Sequence, residues 1–258
     1  IDANVDGEIP MEDLRNGFYE VYVMYNLQRH RLMQKQITED VSHELRTPLT
    51  TLQTHIEAMM DKVWDVDYEK LKNLHGEILR LIKISRDLEK LSLFENESAK
   101  LNYSNFELVT LIEEVLSRFE SSFIDKCLHL HFSKDFKCSI TADKDKITQV
   151  LINLISNSIN FTNKYGEIFI DINSNDRNVE IIIRDTGIGI DKSDLPFIFD
   201  RFYRTDLSRS RLTGGSGIGL AIVKAIVDAH NGEIWADSEL SKGTTIKIIL
   251  PIKSNDTI

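Results

Sequence analysis

The stretch Ser42-His43-Glu44-Leu45-Arg46-Thr47-Pro48-Leu49 puts a titratable nitrogen nucleophile beside a carboxylate, with a hydroxyl one helical turn further on. Residues four apart share a helix face, so His43 and Thr47 look out together. Neutral imidazole is a competent nucleophile near pH 7 because its unperturbed pKa is about 6.5. Glu44 offers a possible base beside it. With glycine-rich loops far downstream, the pattern points to phosphoryl transfer. Thr47 has a plainer explanation as helix surface or as a local backbone hydrogen bonder.

A long helix is expected to carry these residues, because between Gly17 and Met60 there is no further glycine and Pro48 is the one proline. Ile37, Val41, Leu45, Leu52, Ile56 and Met59 form an apolar stripe of near-helical period. His43 lies two residues from both Val41 and Leu45, so at about 100° per residue it points away from that stripe. Pro48 removes a backbone hydrogen bond and is expected to bend the helix locally. A turn is expected at 61–67 and a second helix from Tyr68 to Phe94, where Leu71, Leu74, Ile78, Leu81, Ser85 and Leu88 follow three- and four-residue steps. Two helices bury little alone. Such a hairpin most simply pairs with a copy of itself as a four-helix core, giving a homodimer; the plainer alternative is a contact with the next domain.

Asn96–Asn105 is polar and reads as a linker. Beyond it helices are expected at Leu108–Lys126, Lys144–Phe161 and Gly219–Ala229, and strands at Leu128–Phe132, Ser139–Ala142, Glu167–Asn173, Val179–Asp185, Glu233–Ser238 and Thr244–Leu250. Interleaved strands and helices imply a sheet layered against helices.

Four features in this second half could hold a phosphorylated ligand. Asn153 and Asn157 share a face of one helix, and an amide oxygen can ligate Mg²⁺ whose octahedron is otherwise filled by phosphates and waters. Asp185-Thr-Gly187-Ile-Gly189-Ile190 follows an isoleucine-rich strand; a carboxylate there can accept from an exocyclic amine, and the glycines permit close backbone approach. Gly214-Gly215-Ser216-Gly217-Ile218-Gly219-Leu220 opens a helix, whose N-terminal amides favour anionic phosphate. It lacks both the dinucleotide fingerprint and the Walker pattern. Lys242-Gly243-Thr244-Thr245 precedes the last strand. Each has an ordinary reading taken alone: solvated asparagines, a tight turn, a hairpin. Between the second and third lies Phe199-Asp-Arg-Phe-Tyr-Arg204 and a Ser/Thr/Arg-rich stretch to Thr213, which reads as a mobile lid with Arg201, Arg204, Arg209 and Arg211, or else as an exposed loop.

The 258 residues carry a net charge of −10, which argues against a nucleic-acid binder. Any phosphate must be held by local groups. Cys127 and Cys138 have no metal spacing and no dense disulfide pattern, which fits a reducing cytosol. No run of about 18 apolar residues is present, so no transmembrane helix is expected in this stretch. The chain begins at Ile1 and is expected to be a piece of something longer.

In this order, the motifs resemble the cytoplasmic part of a sensor histidine kinase of a two-component system, over about Gln36 to Pro251. SHELRTPL resembles the phosphoacceptor box, NLISNSINFT (153–162) the asparagine box, and DTGIGI, FDRFYR, GGSGIGL and KGTT the remaining ATP-site boxes. The fold implied is α plus α/β: a helical hairpin forming a dimeric four-helix bundle, then the ATP-binding α/β sandwich shared with certain chaperones, gyrases and mismatch-repair ATPases. The implied domains are a signalling helix or linker fragment at 1–35, a dimerisation and phosphotransfer domain at 36–95, a linker at 96–105 and a catalytic ATP-binding domain at 106–254.

The resemblance implies ATP-dependent autophosphorylation on His43, with Glu44 as orienting base, and transfer to an aspartate of a cognate response regulator receiver domain. Thr47 would position a water for phosphatase activity toward that regulator. Asn153 and Asn157 would lie by the triphosphate, with Asn157 the Mg²⁺ ligand. Asp185 would bind the adenine amine, Gly187 and Gly189 would line the base pocket, Arg204, Gly215, Gly217 and Gly219 would face the phosphates, and Thr244 would support adenine recognition. A domain motion through the linker would bring nucleophile and ATP together. A homodimer without nucleic-acid or membrane contact by this fragment is implied, cytoplasmic, with the parent anchored in the cell membrane. Two departures stand out. Asn160 occupies a position where the family often has a lysine or arginine, and Ser216 stands where threonine is common. The residues also leave open an ATPase-type conformational machine, and a catalytically weak scaffold for which Asn160 is the sequence support.

Overall fold

The computed structural model describes Ser42 and residues 45–95, 101–133, 137–205 and 217–252. Its contacts divide into two units, Ile1–Glu77 and Ile78–Ile258.

In the first unit, helix α1 (residues 45–60) continues through Pro48, which is buried, while Thr47 and Leu49 are exposed. The helix is stopped by Lys62 in the left-handed region (φ 58°) and by the amides of Val63 and Trp64, which both donate to the carbonyl of Ala58. Helix α2 (Tyr68–Glu95) then begins, and its residues from Ile78 onward belong to the second unit. Asp67 caps it by accepting the Lys70 amide at 2.8 Å, and that bond holds the Asp67 carboxyl below its usual pKa. On the seam expected from heptad spacing, Leu74 is buried but Leu71 and Ile78 are exposed; Ile84 is fully buried and Ser85 is exposed. An isoleucine gains from leaving water, whereas a serine hydroxyl loses its hydrogen bonds there.

The second unit is an α/β sandwich. Its five-stranded sheet has the order β2-β4-β5-β7-β6, built from β2 (His129–Phe132), β4 (Glu167–Ser174), β5 (Asn178–Asp185), β6 (Glu233–Glu239) and β7 (Gly243–Pro251). β2 and β4 are parallel and every other neighbouring pair is antiparallel. The register sets Ile170 opposite Ile183 and Ile183 opposite Ile246, with Val179 opposite Leu250. These side chains are buried, and one sheet face becomes a continuous branched-aliphatic layer. Helices α3 (Leu108–Ser117), α5 (Lys144–Phe161) and α6 (Gly219–Ala229) supply the other layer. α5 buries Ile147, Val150, Leu151, Leu154, Ile155 and Ile159 at helical spacing.

α5 and α6 have the bounds expected from the sequence; two other regions differ. The helix expected at Leu108–Lys126 is two, α3 and α4 (Glu120–Lys126). Ser117 Oγ donates back to the Glu114 carbonyl, and the amides of Arg118 and Phe119 donate three residues back, which tightens and ends the first helix. Strand β1 (Tyr103–Glu107) begins inside the stretch read as linker and pairs antiparallel with β3 (Ser139–Asp143). Its first three residues are exposed, so no apolar alternation betrays it.

Two polar contacts tie these elements together. Asp143 caps α5 by accepting the Lys146 amide, and its own amide donates to His230 Nε2 at 3.1 Å. Lys126, at the end of α4, donates from Nζ to the carbonyls of Ile159 (2.6 Å), Asn160 (3.0 Å) and Thr162 (3.1 Å). An ammonium at the carbonyl end of a helix meets both its open acceptors and its dipole. Lys126→Met is therefore expected to destabilise the folded chain by about 1.5–3 kcal/mol, measured by urea denaturation; an unchanged midpoint would remove the cap from the list of structural contributions.

Candidate functional site

The C-terminal half of α5, the end of β5 and the start of β7 converge on a cleft of about 190 Å³, lined by Asn153, Asn157, Asp185, Gly189, Arg204, Gly217, Gly219 and Thr244 among others. α5 makes this possible by having two unlike faces. Its isoleucines and leucines go to the sheet, and Asn153, Ser156, Asn157 and Asn160 face the cleft.

Asp185 is the last residue of β5 and is 7% exposed. Its Oδ1 accepts the amides of Gly187 (2.9 Å) and Thr244 (3.2 Å), and its Oδ2 accepts the Ser158 hydroxyl (3.3 Å). Burial pushes the Asp185 carboxyl above its ordinary pKa, and these three donors oppose the shift. Thr244 stands directly opposite Asp185 in the β5–β7 register. Beside them the buried Ser238 joins both loops. Its Oγ accepts the Ile190 amide at 2.8 Å, donates to the Gly243 carbonyl at 2.7 Å and lies 2.9 Å from Thr244 Oγ1.

The glycines have different duties. Gly189 has φ +69°, and a Cβ there would sit 2.0 Å from the carbonyl oxygen of Glu239. Gly187 donates its amide to Asp185 from the loop that follows β5. A Cβ at Gly187 would meet the Phe161 carbonyl oxygen at 2.6 Å, so its job is to let the loop press on the end of α5 while its amide holds Asp185. Gly217 (φ +70°) lies against the backbone of Phe202, which itself has φ +60°. Gly219 opens α6, whose N-cap position is Ile218, a residue with no polar side chain to cap it. Asn153 Nδ2 donates to the Gly219 carbonyl at 3.1 Å, fastening α5 to the start of α6.

Asn157 is half-buried and lines the cleft, and none of the described residues hydrogen-bonds its side chain. Among the described residues no cluster of three or more His, Cys, Asp or Glu suits a metal ion. A hard cation held by one amide oxygen would need its remaining ligands from phosphates and water, which fits the Mg²⁺ of a nucleotide and not a freestanding metal centre. Asn160 binds Ser156 Oγ at 3.4 Å, and Arg204 is the cation among the lining residues.

His43, Glu44, Gly215 and the arginines at 209 and 211 lie outside the described residues. Thr47 is described and exposed, and its carbonyl accepts the Thr51 hydroxyl. Lys126 and Ser238 escaped the reading of the sequence. Gly243, within the Lys-Gly-Thr-Thr turn, leaves no room for a Cβ against the Asp185 carbonyl oxygen. No helix among the described residues is long and apolar enough to cross a membrane.

Comparison with known proteins accounts for both units. Residues 33–97 match the His Kinase A (phospho-acceptor) domain and residues 142–254 match the histidine kinase-, DNA gyrase B-, and HSP90-like ATPase family. The chain is 39% identical to the sensor histidine kinase WalK of Bacillus subtilis, over 90% of this chain and 39% of that protein. It is 34% identical to the signal transduction histidine-protein kinase BaeS of Escherichia coli, over 88% of this chain and 49% of that one. It thus spans about half or less of these two relatives. Among solved structures, Acinetobacter baumannii histidine kinase AdeS aligns with a TM-score of 0.68 and 30% identity, over 82% of this chain and 98% of that one. Histidine kinase ThkA, solved in complex with response regulator protein TrrA, aligns with a TM-score of 0.74 and 26% identity, over 92% of this chain and 67% of that one. With both family domains in order and a relative matched over nearly its whole length, the chain belongs to the sensor histidine kinase family.

Proposed function

We propose that this chain uses ATP to phosphorylate its own His43 and passes the phosphoryl group to an aspartate on a response regulator receiver domain. The observation that carries the reading is the cleft. Its lining combines a buried acceptor, Asp185, with the amide-bearing face of α5 and the first residues of α6. That polarity suits a molecule with an amine-bearing base and an anionic tail.

The residues divide the work. Asp185 accepts from the adenine amine, with Thr244 beside it. Asn153, Asn157 and Arg204, with the amides at Gly215, Gly217 and Gly219, receive the phosphates. Asn157 is the protein ligand of Mg²⁺, which when bound neutralises charge on the phosphate oxygens. An imidazole nitrogen of His43 bonds to the γ-phosphorus as the bond to the bridging oxygen breaks, ADP departs, and Glu44 takes the ring proton. The labile P–N bond then yields to a carboxylate of the receiver domain. Thr47, exposed on α1 one turn from His43, positions water for the reverse activity, hydrolysis of the regulator's acyl phosphate. We read the domain limits as 36–95 for dimerisation and phosphotransfer and 106–254 for catalysis. The exposed Leu49, Ile56, Leu71 and Ile78 support a homodimer through the helical hairpin. The chain is read as the cytoplasmic part of a membrane-anchored parent, in keeping with the 39% of WalK that it spans.

Four outcomes are expected. Radiolabelled ATP should give acid-labile, alkali-stable label on the wild type and none on His43→Gln; label persisting on the variant would sink the site assignment. Asp185→Asn should weaken ATP about 10–150-fold in calorimetry, the worth of one charge-assisted hydrogen bond. Because burial raises this carboxyl's native pKa, its proton is held more tightly in the folded chain. The stability so gained is full below the unfolded value of about 3.9 and is lost as pH rises through the native pKa. Without nucleotide, then, the wild type should lose stability over that window relative to Asp185→Asn, as melting temperatures measured across pH will reveal. Thr47→Ala should slow dephosphorylation of a phosphorylated receiver domain while leaving ATP-driven labelling of His43 intact; equal rates would remove Thr47 from the phosphatase step.

A further inference from the structure

The hydrogen bonds around Ser238 fix where its proton points. A serine hydroxyl has one proton to give and two lone pairs to fill. The Ile190 amide at 2.8 Å can only donate to Ser238 Oγ, and the Gly243 carbonyl at 2.7 Å can only accept from it. The single Ser238 proton is therefore committed to Gly243. The remaining partner, Thr244 Oγ1 at 2.9 Å, must be the donor of its contact. Thr244 has then spent its own proton, and only lone pairs are left on its oxygen for anything bound beside it. Ser238 is 6% exposed, so water does not compete for these bonds.

Thr244 lines the cleft directly opposite Asp185. The Asp185 carboxylate already accepts three protein donors and offers acceptors only. The Ser158 hydroxyl is likewise committed to Asp185 Oδ2. This end of the cleft is thus a wall of acceptors. A base with an amine at this edge satisfies it, and a base with a carbonyl there sets lone pair against lone pair. A single bridging water gives the same answer. Donating one proton to Thr244 and one to Asp185, it turns its own lone pairs to the base.

We propose that Ser238 is the positioning residue that makes the site select 6-amino over 6-oxo purine nucleotides, by locking the Thr244 hydroxyl as a donor pointed away from the ligand. The inference rests on the adenine-nucleotide reading of the cleft. It goes further by assigning the discrimination to a side chain that does not line the cleft. A site built for one hydrogen-bonding pattern rejects the opposite one strongly, because its buried groups are left unpaired.

The test is the ratio of ITP to ATP dissociation constants, measured by calorimetry on the whole chain with Mg²⁺. ITP differs from ATP in carrying a carbonyl in place of the 6-amine. The wild type should prefer ATP. Ser238→Ala removes the acceptor of the Thr244 proton, which can then turn to the ligand, and should shrink the ratio about tenfold, the worth of one hydrogen bond. Ser238→Cys keeps the volume but offers only a weak sulfur partner; it should shrink the ratio in the same direction, and it serves if the alanine variant does not fold. A purely structural role would weaken both nucleotides alike. An unchanged ratio in the folded variant overturns the inference while leaving ATP binding standing. A wild type that binds neither nucleotide overturns the adenine-nucleotide reading and the inference with it.

Discussion

A carboxylate withdrawn from water at the end of β5 is the constraint around which the second unit is arranged. Burial pushes the Asp185 carboxyl above its ordinary pKa and so disfavours its charge; the donors that oppose this come from separate parts of the chain. Gly187 comes from the loop that follows, Thr244 from the facing strand and Ser158 from α5. Each donor needs its own element in place. The antiparallel register of β5 and β7 delivers Thr244, and the absence of a side chain at Gly187 lets the loop close onto the end of α5. The layers therefore do more than shield isoleucines. They set the positions of three hydrogens to within hydrogen-bonding tolerance of one anion.

The carbonyl end of α5 is the second anchoring point. The Phe161 carbonyl accepts the Ile188 amide, so wherever the last turn of α5 goes, the glycine loop follows. Lys126 holds that turn through three carbonyls. An ion on a short helix that does not itself line the cleft thereby determines where the loop beside Asp185 lies. At the other end of α5, Asp143 caps the helix and is bound through its backbone to His230 at the end of α6, so the two helices that meet at the cleft are tied at their far ends as well.

Much of this was legible in the residues. α5 and α6 could be bounded because their apolar positions recur at helical spacing between clear start signals, and β4, β5 and β7 because branched aliphatic residues alternate over whole strands. The cleft residues Asn157, Asp185, Gly189 and Thr244 were found because each sits in a short motif whose order along the chain is informative. What stayed hidden depends on distance. β1 is polar and exposed, and its partner strand is more than thirty residues away. Lys126 looks like any helix-surface lysine until α5 is set above it. Ser238 is an ordinary strand serine whose partners lie on both sides of it in sequence, one of them 48 positions away. The space that Gly187 clears for the Phe161 carbonyl is likewise invisible until the loop is set against α5.

Phe202 and Gly217 carry a last consequence. Both adopt left-handed backbone, and a side chain at position 217 would run into the backbone of Phe202. Any L-residue put in place of Gly217 is therefore penalised twice, once by the torsion and once by the collision, so this rim of the cleft is held by a residue whose whole contribution is the atom it lacks.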